Sequence, residues 1–245
     1  MERFISTLTL LGITLINTAQ TTNLGSPYSA KKNQSFHYTT LSQESLDLKS
    51  RYPDPWVNEV FSDNILLNLH YLKGDAASIK NEKGGVDWEK VRGPFEFSMR
   101  LESGQTFAYH RTVLPEFKEK EVLAAQTTFW ASEGYKSDGY LVGDGVCHLA
   151  SLFNWTGSGA GLKVTAKANH DFLPVPGVPR RYGTSIYYTT DGGRNSANQN
   201  LYITNEFNVP VEFKISANAE KVKIQVVSEG EVLPRGKEIP TIITA

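Results

Sequence analysis

The chain contains one cysteine, Cys147, among its 245 residues. A lone cysteine cannot form an internal disulfide, so the fold has to be stabilised by core packing without covalent cross-links. A chain of this length with 40% hydrophobic residues can bury a core as one large domain or two small ones. The unpaired thiol is either a reactive group or an ordinary buried apolar residue, and its sequence context has to distinguish the two.

The charge of the chain is almost balanced, with 25 basic and 26 acidic residues. Nucleic acids and anionic membrane surfaces are bound through clustered lysine and arginine, and the longest basic runs here are pairs. The composition therefore predicts no nucleic-acid partner.

The first residues have the pattern of an export signal. Arg3 precedes an uncharged run from Phe4 to Ile16, which small and polar residues follow. This run is too short for a membrane-spanning helix, which needs about 20 apolar residues. We therefore expect residues 1–20 to be a signal peptide, cleaved or acting as a loose anchor, and the mature protein to be secreted or associated with the cell envelope.

Residues 21–40 are rich in serine, threonine, asparagine, glutamine and lysine, which predicts a flexible tether. Residues 41–92 are expected to be mainly helical. Asp54 and Pro55 are typical of a helix start, and Lys73 with Gly74 is typical of a helix end.

The remainder of the chain has the pattern of strands. Apolar and polar residues alternate from Phe95 to Leu101, as in a half-buried strand, and Thr106–Tyr109 is expected to be its hairpin partner. Further strands are predicted at 162–168, 184–189, 201–205, 211–215 and 222–227. The sequence thus predicts an α+β fold of antiparallel strands packed with a few helices, followed by a C-terminal extension at 229–245.

The segment around the cysteine is the most informative for function. Gly143, Asp144 and Gly145 precede a predicted helix at 146–156, with Asp144 placed as its N-cap. Cys147 then lies in the first turn, where free backbone N–H groups and the helix dipole lower the pKa of a thiol. This placement favours a nucleophilic cysteine at the N-terminus of a short helix.

Helical spacing places Ser151 and Asn154 on the same face as Cys147, which predicts an exposed polar site. Its binding residues are expected to be Gly143, Asp144, Gly145, His148, Ser151 and Asn154. The alternative is that Cys147 is a small buried residue beneath a glycine-rich turn.

A cysteine nucleophile needs a base, and His170 follows a predicted strand that can return over the helix N-terminus. His148 is the weaker base because it points about 100° around the helix from Cys147. Three residues could orient His170, and the sequence does not choose among Asp171, Asn200 and Asn205. Cys147, His148, His170 and Asp144 also supply metal-ligand atoms, but their spacing matches no zinc pattern, so neither a metal nor a cofactor is predicted.

These residues carry a resemblance to a known family. The run from Gly143 to Trp155, with Asn169 and His170 after it, resembles the VanW family of vancomycin-resistance proteins, whose signature is a glycine-rich turn, a cysteine, a glutamine and a later histidine. Further segments that resemble the family are Leu101 with 104–107, Gly134 with Tyr135, 183–187 and 201–210. Asp144 replaces a glycine of the pattern and His148 replaces its glutamine. The resemblance implies a VanW-like domain at 93–228 and a cell-envelope setting.

Three functions are compatible with this sequence. The first is a hydrolase or transpeptidase acting on peptide or amide bonds of the cell wall, with Cys147 as nucleophile, His170 as base and backbone N–H groups as oxyanion donors. The second is a non-catalytic module of glycopeptide-resistance type that binds a cell-wall peptide or glycan through aromatic residues such as Tyr135, Tyr140, Trp155 and Tyr182. The third is a structural surface domain with an inert thiol. The surroundings of the sulfur and of His170 discriminate among them.

Overall fold

The structure is a computed structural model that describes residues 38–189 and 194–234. These residues lie within one compact unit. The predicted signal peptide, the predicted tether up to residue 37 and the end of the C-terminal extension lie outside the described residues. The last three residues of the predicted tether, 38–40, begin the first strand.

Helices and strands alternate irregularly along the described chain. The helices are α1 (Pro55–Lys73), α2 (Trp88–Arg92), α3 (Val146–Gly159) and α4 (Arg194–Asn198). The strands are β1 (Tyr38–Asp47), β2 (Phe95–Leu101), β3 (Thr106–Ala108), β4 (Val122–Ala124), β5 (Lys163–Ala166), β6 (Leu201–Thr204), β7 (Val211–Ala217) and β8 (Lys221–Glu229). The predicted α+β class is confirmed.

The strands form two four-stranded sheets. The first has the order β1-β8-β7-β2 and is antiparallel throughout. The second has the order β4-β3-β6-β5, in which β3 and β4 are parallel and the other pairs antiparallel. Because β1 pairs with β8, the region before residue 92 shares a sheet with the C-terminal strands.

Helix α1 begins and ends where its capping residues predict. The side chain of Asp54 accepts the backbone N–H groups of Trp56 and Val57, and Pro55 occupies the first helical position. Gly74 ends the helix in the left-handed conformation, with its N–H bonded to the carbonyl of His70. Local side-chain chemistry therefore fixes both ends of this helix.

The predicted hairpin between β2 and Thr106–Tyr109 is wrong. Strand β2 pairs with β7, whereas β3 pairs with β4 and β6 in the other sheet. Asn205 stabilises the crossing, since its side chain donates to the carbonyl of Leu101 and its backbone N–H donates to Gln105. The turn after β2 thus transfers the chain from one sheet to the other.

The predicted strand at 184–189 is also not present as a strand. Its backbone N–H groups bond to different partners in succession. Ser185 donates to Ala168, Ile186 to the sulfur of Cys147, and Tyr187 to Gln199. No single neighbouring strand pairs with this segment, so a regular ladder cannot form.

Helix α3 contacts strands of both sheets, β1 and β8 of the first and β5 and β6 of the second. Phe153 on this helix is fully buried between Phe107 of the second sheet and Phe213 of the first, with ring centroids 5.6 and 5.9 Å away. Aromatic contacts of this kind add to the free energy of burial. The cysteine helix is therefore part of the core.

Candidate functional site

The first turn of α3 contains Cys147, as predicted, but its N-cap is Gly145 and not Asp144. Gly145 has φ +98°, and no side chain caps the helix. The Asp144 carboxylate instead accepts the backbone N–H of Asp138. The predicted capping role of Asp144 is wrong because its side chain turns back to its own loop.

Gly145 is required by two independent constraints. Its positive φ is unfavourable for residues with a side chain. In addition, a Cβ there would lie 2.5 Å from the carbonyl oxygen of Phe61 on α1. The helix start can therefore approach α1 closely only because residue 145 has no side chain.

Helix α1 holds the loop that leads to the cysteine. The side chain of Asn64, fully buried on α1, donates to the carbonyls of Lys136 and Asp144 and accepts the N–H of Lys136. The hydroxyl of Tyr109 on the segment after β3 donates to the carbonyl of Val146. These bonds fix both sides of the loop, so the position of Cys147 is determined by residues far from it in sequence.

The Cys147 thiol is partly buried and hydrogen bonds to the backbone of a single residue, Ile186. The N–H of Ile186 donates to the sulfur over 3.3 Å, and the thiol donates to the carbonyl of the same residue over 3.6 Å. Burial raises the pKa of this thiol to about 11, the Ile186 N–H opposes the rise, and the nearby charge of Asp144 adds to it. The prediction of a lowered thiol pKa is therefore wrong, because burial outweighs the helix dipole.

His148 is a buried neighbour of the cysteine with defined partners. Its Nδ1 hydrogen bonds to the guanidinium of Arg51, its Nε2 lies 3.5 Å from the hydroxyl of Tyr52, and its ring packs on Phe61. Burial lowers the pKa of His148 well below its usual value, and the charges of Arg51 and His170 lower it further. His148 is therefore a neutral imidazole at physiological pH.

His170 is buried as well, and its orienting group is a backbone carbonyl. Its Nδ1 lies 2.7 Å from the carbonyl oxygen of Leu173, and its ring is 5.7 Å from that of His148 at an angle of 79°. Along the described chain, no hydrogen bond joins His170 to the Cys147 sulfur, although both residues face the same cavity.

The three residues considered as a third catalytic group have other partners in the structure. Asn200 and Asn205 hold backbone groups of the second sheet and of the crossing after β2. Asp171 is exposed and lies 3.8 Å from Arg180. The carbonyl of Leu173 carries no side-chain signal, so the sequence could not have indicated it.

The side chains of Cys147, His148 and His170 line one cleft, whose volume is about 720 Å³. Of the predicted site residues, it is lined by Gly143, Asp144, Gly145, Cys147, His148 and His170. Its walls are mainly apolar and include Tyr52, Phe61, Phe129, Ile186 and Tyr188. Its volume is within the range of about 300–1,000 Å³ that is usual for small-molecule sites.

Ser151 and Asn154 do not line this cleft, because both are buried against the segment before Ile186. The Ser151 hydroxyl donates to the carbonyl of Cys147 and accepts the N–H of Thr184. The Asn154 amide donates to the carbonyl of Tyr182 and the hydroxyl of Thr184. The polar face of α3 therefore anchors a neighbouring segment, and the expectation that it is exposed is wrong.

Among the aromatic residues considered for binding, only Tyr140 lines the cleft. Tyr135 is buried in the core beside Tyr71 and Phe129. Trp155 and Tyr182 stack on each other away from the cleft, with ring centroids 6.2 Å apart.

Two carboxylates are placed together at the cleft, those of Asp138 and Asp144. Burial raises the pKa of Asp144 to about 6, and the negative charge of Asp138 contributes to the rise. The backbone N–H of Asp138 acts in the opposite direction. Within the described ranges, no group of three or more histidine, cysteine, aspartate or glutamate side chains could hold a metal ion.

None of the helices in residues 38–189 and 194–234 has the length and apolar character needed to cross a membrane.

The fold and this cleft define an α+β domain with its only cysteine on the wall of an apolar cleft beside two histidines. The sequence model of the family described as VanW like protein matches residues 98–227, which is more than half of the chain. The chain therefore belongs to the VanW-like family, and the resemblance noted in the sequence is confirmed. No curated protein and no solved structure matches the chain.

Proposed function

We propose that this domain binds a peptide-bearing fragment of the cell envelope in the cleft beside Cys147. One observation carries the proposal. Within the described chain, nine large hydrophobic side chains are exposed, and seven of them line this cleft: Trp130, Tyr140, Leu141, Val142, Phe172, Leu173 and Tyr187. Apolar side chains grouped around a cavity mark a binding site, because their exposure opposes stability unless a ligand covers them.

The cleft combines this apolar rim with polar groups at its base. His148 and His170 can make hydrogen bonds, and the carboxylates of Asp138 and Asp144 add negative charge. Peptides match such a surface, since they carry amides along the backbone and apolar or basic side chains. Membership of the VanW-like family supports a cell-envelope setting, where wall peptides are available as ligands.

The state of the cysteine favours binding over catalysis. A thiol with a pKa of about 11 is protonated at physiological pH, and its proton is directed at the Ile186 carbonyl. The thiolate is the nucleophilic form of cysteine, and it is scarce in this environment. The thiol is thus one polar contact on the wall of the binding cleft.

Binding can be measured by calorimetry with soluble muropeptides released from purified peptidoglycan. Phe172 is 79% exposed, so Phe172→Ser leaves the core intact and is expected to weaken binding about tenfold by removing one aromatic contact. Trp56→Ser is the matched control, because Trp56 is an exposed aromatic outside the cleft. Cys147→Ser should keep its affinity within about twofold. Unchanged affinity in Phe172→Ser, or equal losses in Phe172→Ser and Trp56→Ser, would overturn the proposal.

A second candidate is cysteine-dependent acyl transfer, which one observation favours. The Leu173 carbonyl accepts a hydrogen bond from Nδ1–H of His170, so in the neutral imidazole of this cleft residue Nε2 is the basic nitrogen. In this reaction, Nε2 would take the thiol proton while the sulfur attacks a peptide carbonyl. The leaving amine would then receive that proton, and a thioester on Cys147 would remain for hydrolysis or transfer to a second amine.

This candidate requires the thiol to leave Ile186 when the substrate binds. Mass spectrometry of the intact protein after incubation with the same muropeptides would detect an acyl adduct on Cys147. The adduct should be absent in Cys147→Ala and at least about tenfold slower to form in His170→Ala. No adduct in the native protein, at muropeptide concentrations that saturate binding, would rule out acyl transfer from these peptides and leave the binding function.

A further inference from the structure

The two histidines of the cleft have partners of opposite hydrogen-bonding character. The guanidinium of Arg51 has donors only, so Nδ1 of His148 must accept its hydrogen bond. In a neutral imidazole one nitrogen accepts and the other carries the proton. The proton of His148 is therefore on Nε2, which lies on the side of Tyr52, a residue of the cleft wall.

His170 has the reverse arrangement. The carbonyl oxygen of Leu173 can only accept, so Nδ1 of His170 carries a proton and donates it. In the neutral form of His170, Nε2 is then an acceptor. The cleft consequently contains one imidazole donor and one imidazole acceptor, on rings whose centroids are 5.7 Å apart.

Arg51 is held in place for this contact. Its backbone N–H donates to the side chain of Asn58, whose amide donates in turn to the carbonyls of Leu48 and Lys49. Nε and Nη1 of Arg51 are buried and have no hydrogen-bond partner in the described part of the chain. In this part of the chain, the side chain of Arg51 therefore makes its hydrogen bond to His148, through Nη2.

We infer that Arg51 is a positioning residue that fixes His148 as a hydrogen-bond donor, and that His148 and His170 together recognise a carboxamide of the ligand. The carbonyl oxygen of an amide accepts from Nε2 of His148, and an amide N–H donates to Nε2 of His170. Tyr52 is 3.5 Å from Nε2 of His148, at the limit of a hydrogen bond, so a ligand oxygen can replace it. The choice of a carboxamide rests on the proposed peptide-binding function, whereas the role of Arg51 does not.

The role of Arg51 can be tested without a ligand, by NMR of the protein with ¹⁵N-labelled histidine. The expected spectrum has the His148 proton on Nε2 and the His170 proton on Nδ1. Arg51→Met should give His148 a mixture of both tautomers, and Arg51→Lys, which retains a donor, should restore the Nε2 form. Arg181→Met is the control, since Arg181 lies over the ring of Tyr182 and does not contact His148. A native His148 with its proton on Nδ1, or an unchanged tautomer in a folded Arg51→Met, would overturn this role.

The recognised group can be tested with two small probes in the same spectra. N-methylacetamide has an acceptor and a donor, whereas N,N-dimethylacetamide has the acceptor only. We expect N-methylacetamide to shift the Nε2 signals of both histidines, and N,N-dimethylacetamide to shift that of His148 alone. Equal effects of both probes on His170 would overturn recognition of the amide N–H. If neither probe shifts either histidine, carboxamide recognition fails, while calorimetry with muropeptides independently decides whether the cleft binds wall peptides.

Discussion

The Cys147 thiol and the backbone of Ile186 are joined by two hydrogen bonds. The Ile186 N–H donates to the sulfur over 3.3 Å, and the thiol donates to the Ile186 carbonyl. Ile186 belongs to a segment without regular secondary structure, 39 residues after the cysteine. Burial keeps the thiol protonated, although the Ile186 N–H and the position of the thiol in a first helical turn both favour the thiolate.

Alkylation of Cys147 by iodoacetamide should therefore be slow. A thiol with a pKa of about 11 contains about 100-fold less thiolate at neutral pH than an ordinary cysteine. The labelling rate, followed by mass spectrometry at pH 7.5, is expected to be at least about tenfold below that of glutathione. The same protein unfolded in guanidinium chloride is the control and should react as fast as glutathione. A folded protein that reacts as fast as its unfolded form would contradict the observed burial.

Gly145→Ala should destabilise the domain by about 3 kcal/mol, because it combines an unfavourable positive φ with a clash against the Phe61 carbonyl. Gly139→Ala separates the two effects. Gly139 has φ +112°, but apart from its chain neighbours no atom lies within 4 Å of the position that an alanine Cβ would occupy. Gly139→Ala should therefore lower the free energy of unfolding by about 1 kcal/mol. Urea unfolding followed by tryptophan fluorescence measures both variants. Equal decreases in the free energy of unfolding for the two variants would show that the close approach of residue 145 to α1 adds nothing to the destabilisation.

Asp63 and Glu59 on α1 provide a matched pair of carboxylates, because both contact the side chains of Arg92 and Lys136. Asp63 is 1% exposed and binds the Arg92 guanidinium through both oxygens, whereas Glu59 is exposed. We expect Asp63→Asn to lower the free energy of unfolding by about 2 kcal/mol and Glu59→Gln by less than about 0.5 kcal/mol.

Urea unfolding at low and at high salt tests this pair. The Asp63→Asn loss should persist in about 1 M NaCl, since buried ion pairs are screened less than exposed ones. Similar effects of the two substitutions would mean that burial of Asp63 does not strengthen its interactions.

The carboxyl group of Asp144 should make stability depend on pH. Its folded pKa of about 6 is above the ordinary value, so between about pH 4 and pH 6 the folded state binds more protons than the unfolded state. The contribution of this group to stability is therefore present at low pH and is lost as pH rises through 6.

Asp144→Asn removes this dependence, because an asparagine does not ionise. Relative to the native protein, its free energy of unfolding should improve by about 1 kcal/mol between pH 4 and pH 7, less than the full value of the pKa rise because Asp144 is partly exposed and solvent screens its charge. Asp171→Asn is the control for replacing an exposed aspartate with asparagine. A constant difference between Asp144→Asn and the native protein across this range would show that the Asp144 pKa is not raised.

Features with local causes were predictable from the sequence. The ends of α1 follow from Asp54, Pro55 and Gly74, which satisfy or terminate the helix through contacts within a few residues. Strand β2 follows from the alternation of apolar and polar residues between Phe95 and Leu101. The family and the position of Cys147 in the first turn of α3 were also evident, since both depend on a contiguous run of residues.

Features that depend on distant partners were decided by the tertiary structure. Thr106–Ala108 joins the second sheet because β6 offers it a partner about 100 residues later, and local pattern favours a hairpin equally well. The polar face of α3 is buried because Thr184 and Tyr182 satisfy Ser151 and Asn154. The sequence by itself determined where the thiol lies along its helix. Packing decided its protonation, because the free energy of a charge depends on every atom around it and not on its neighbours in the chain.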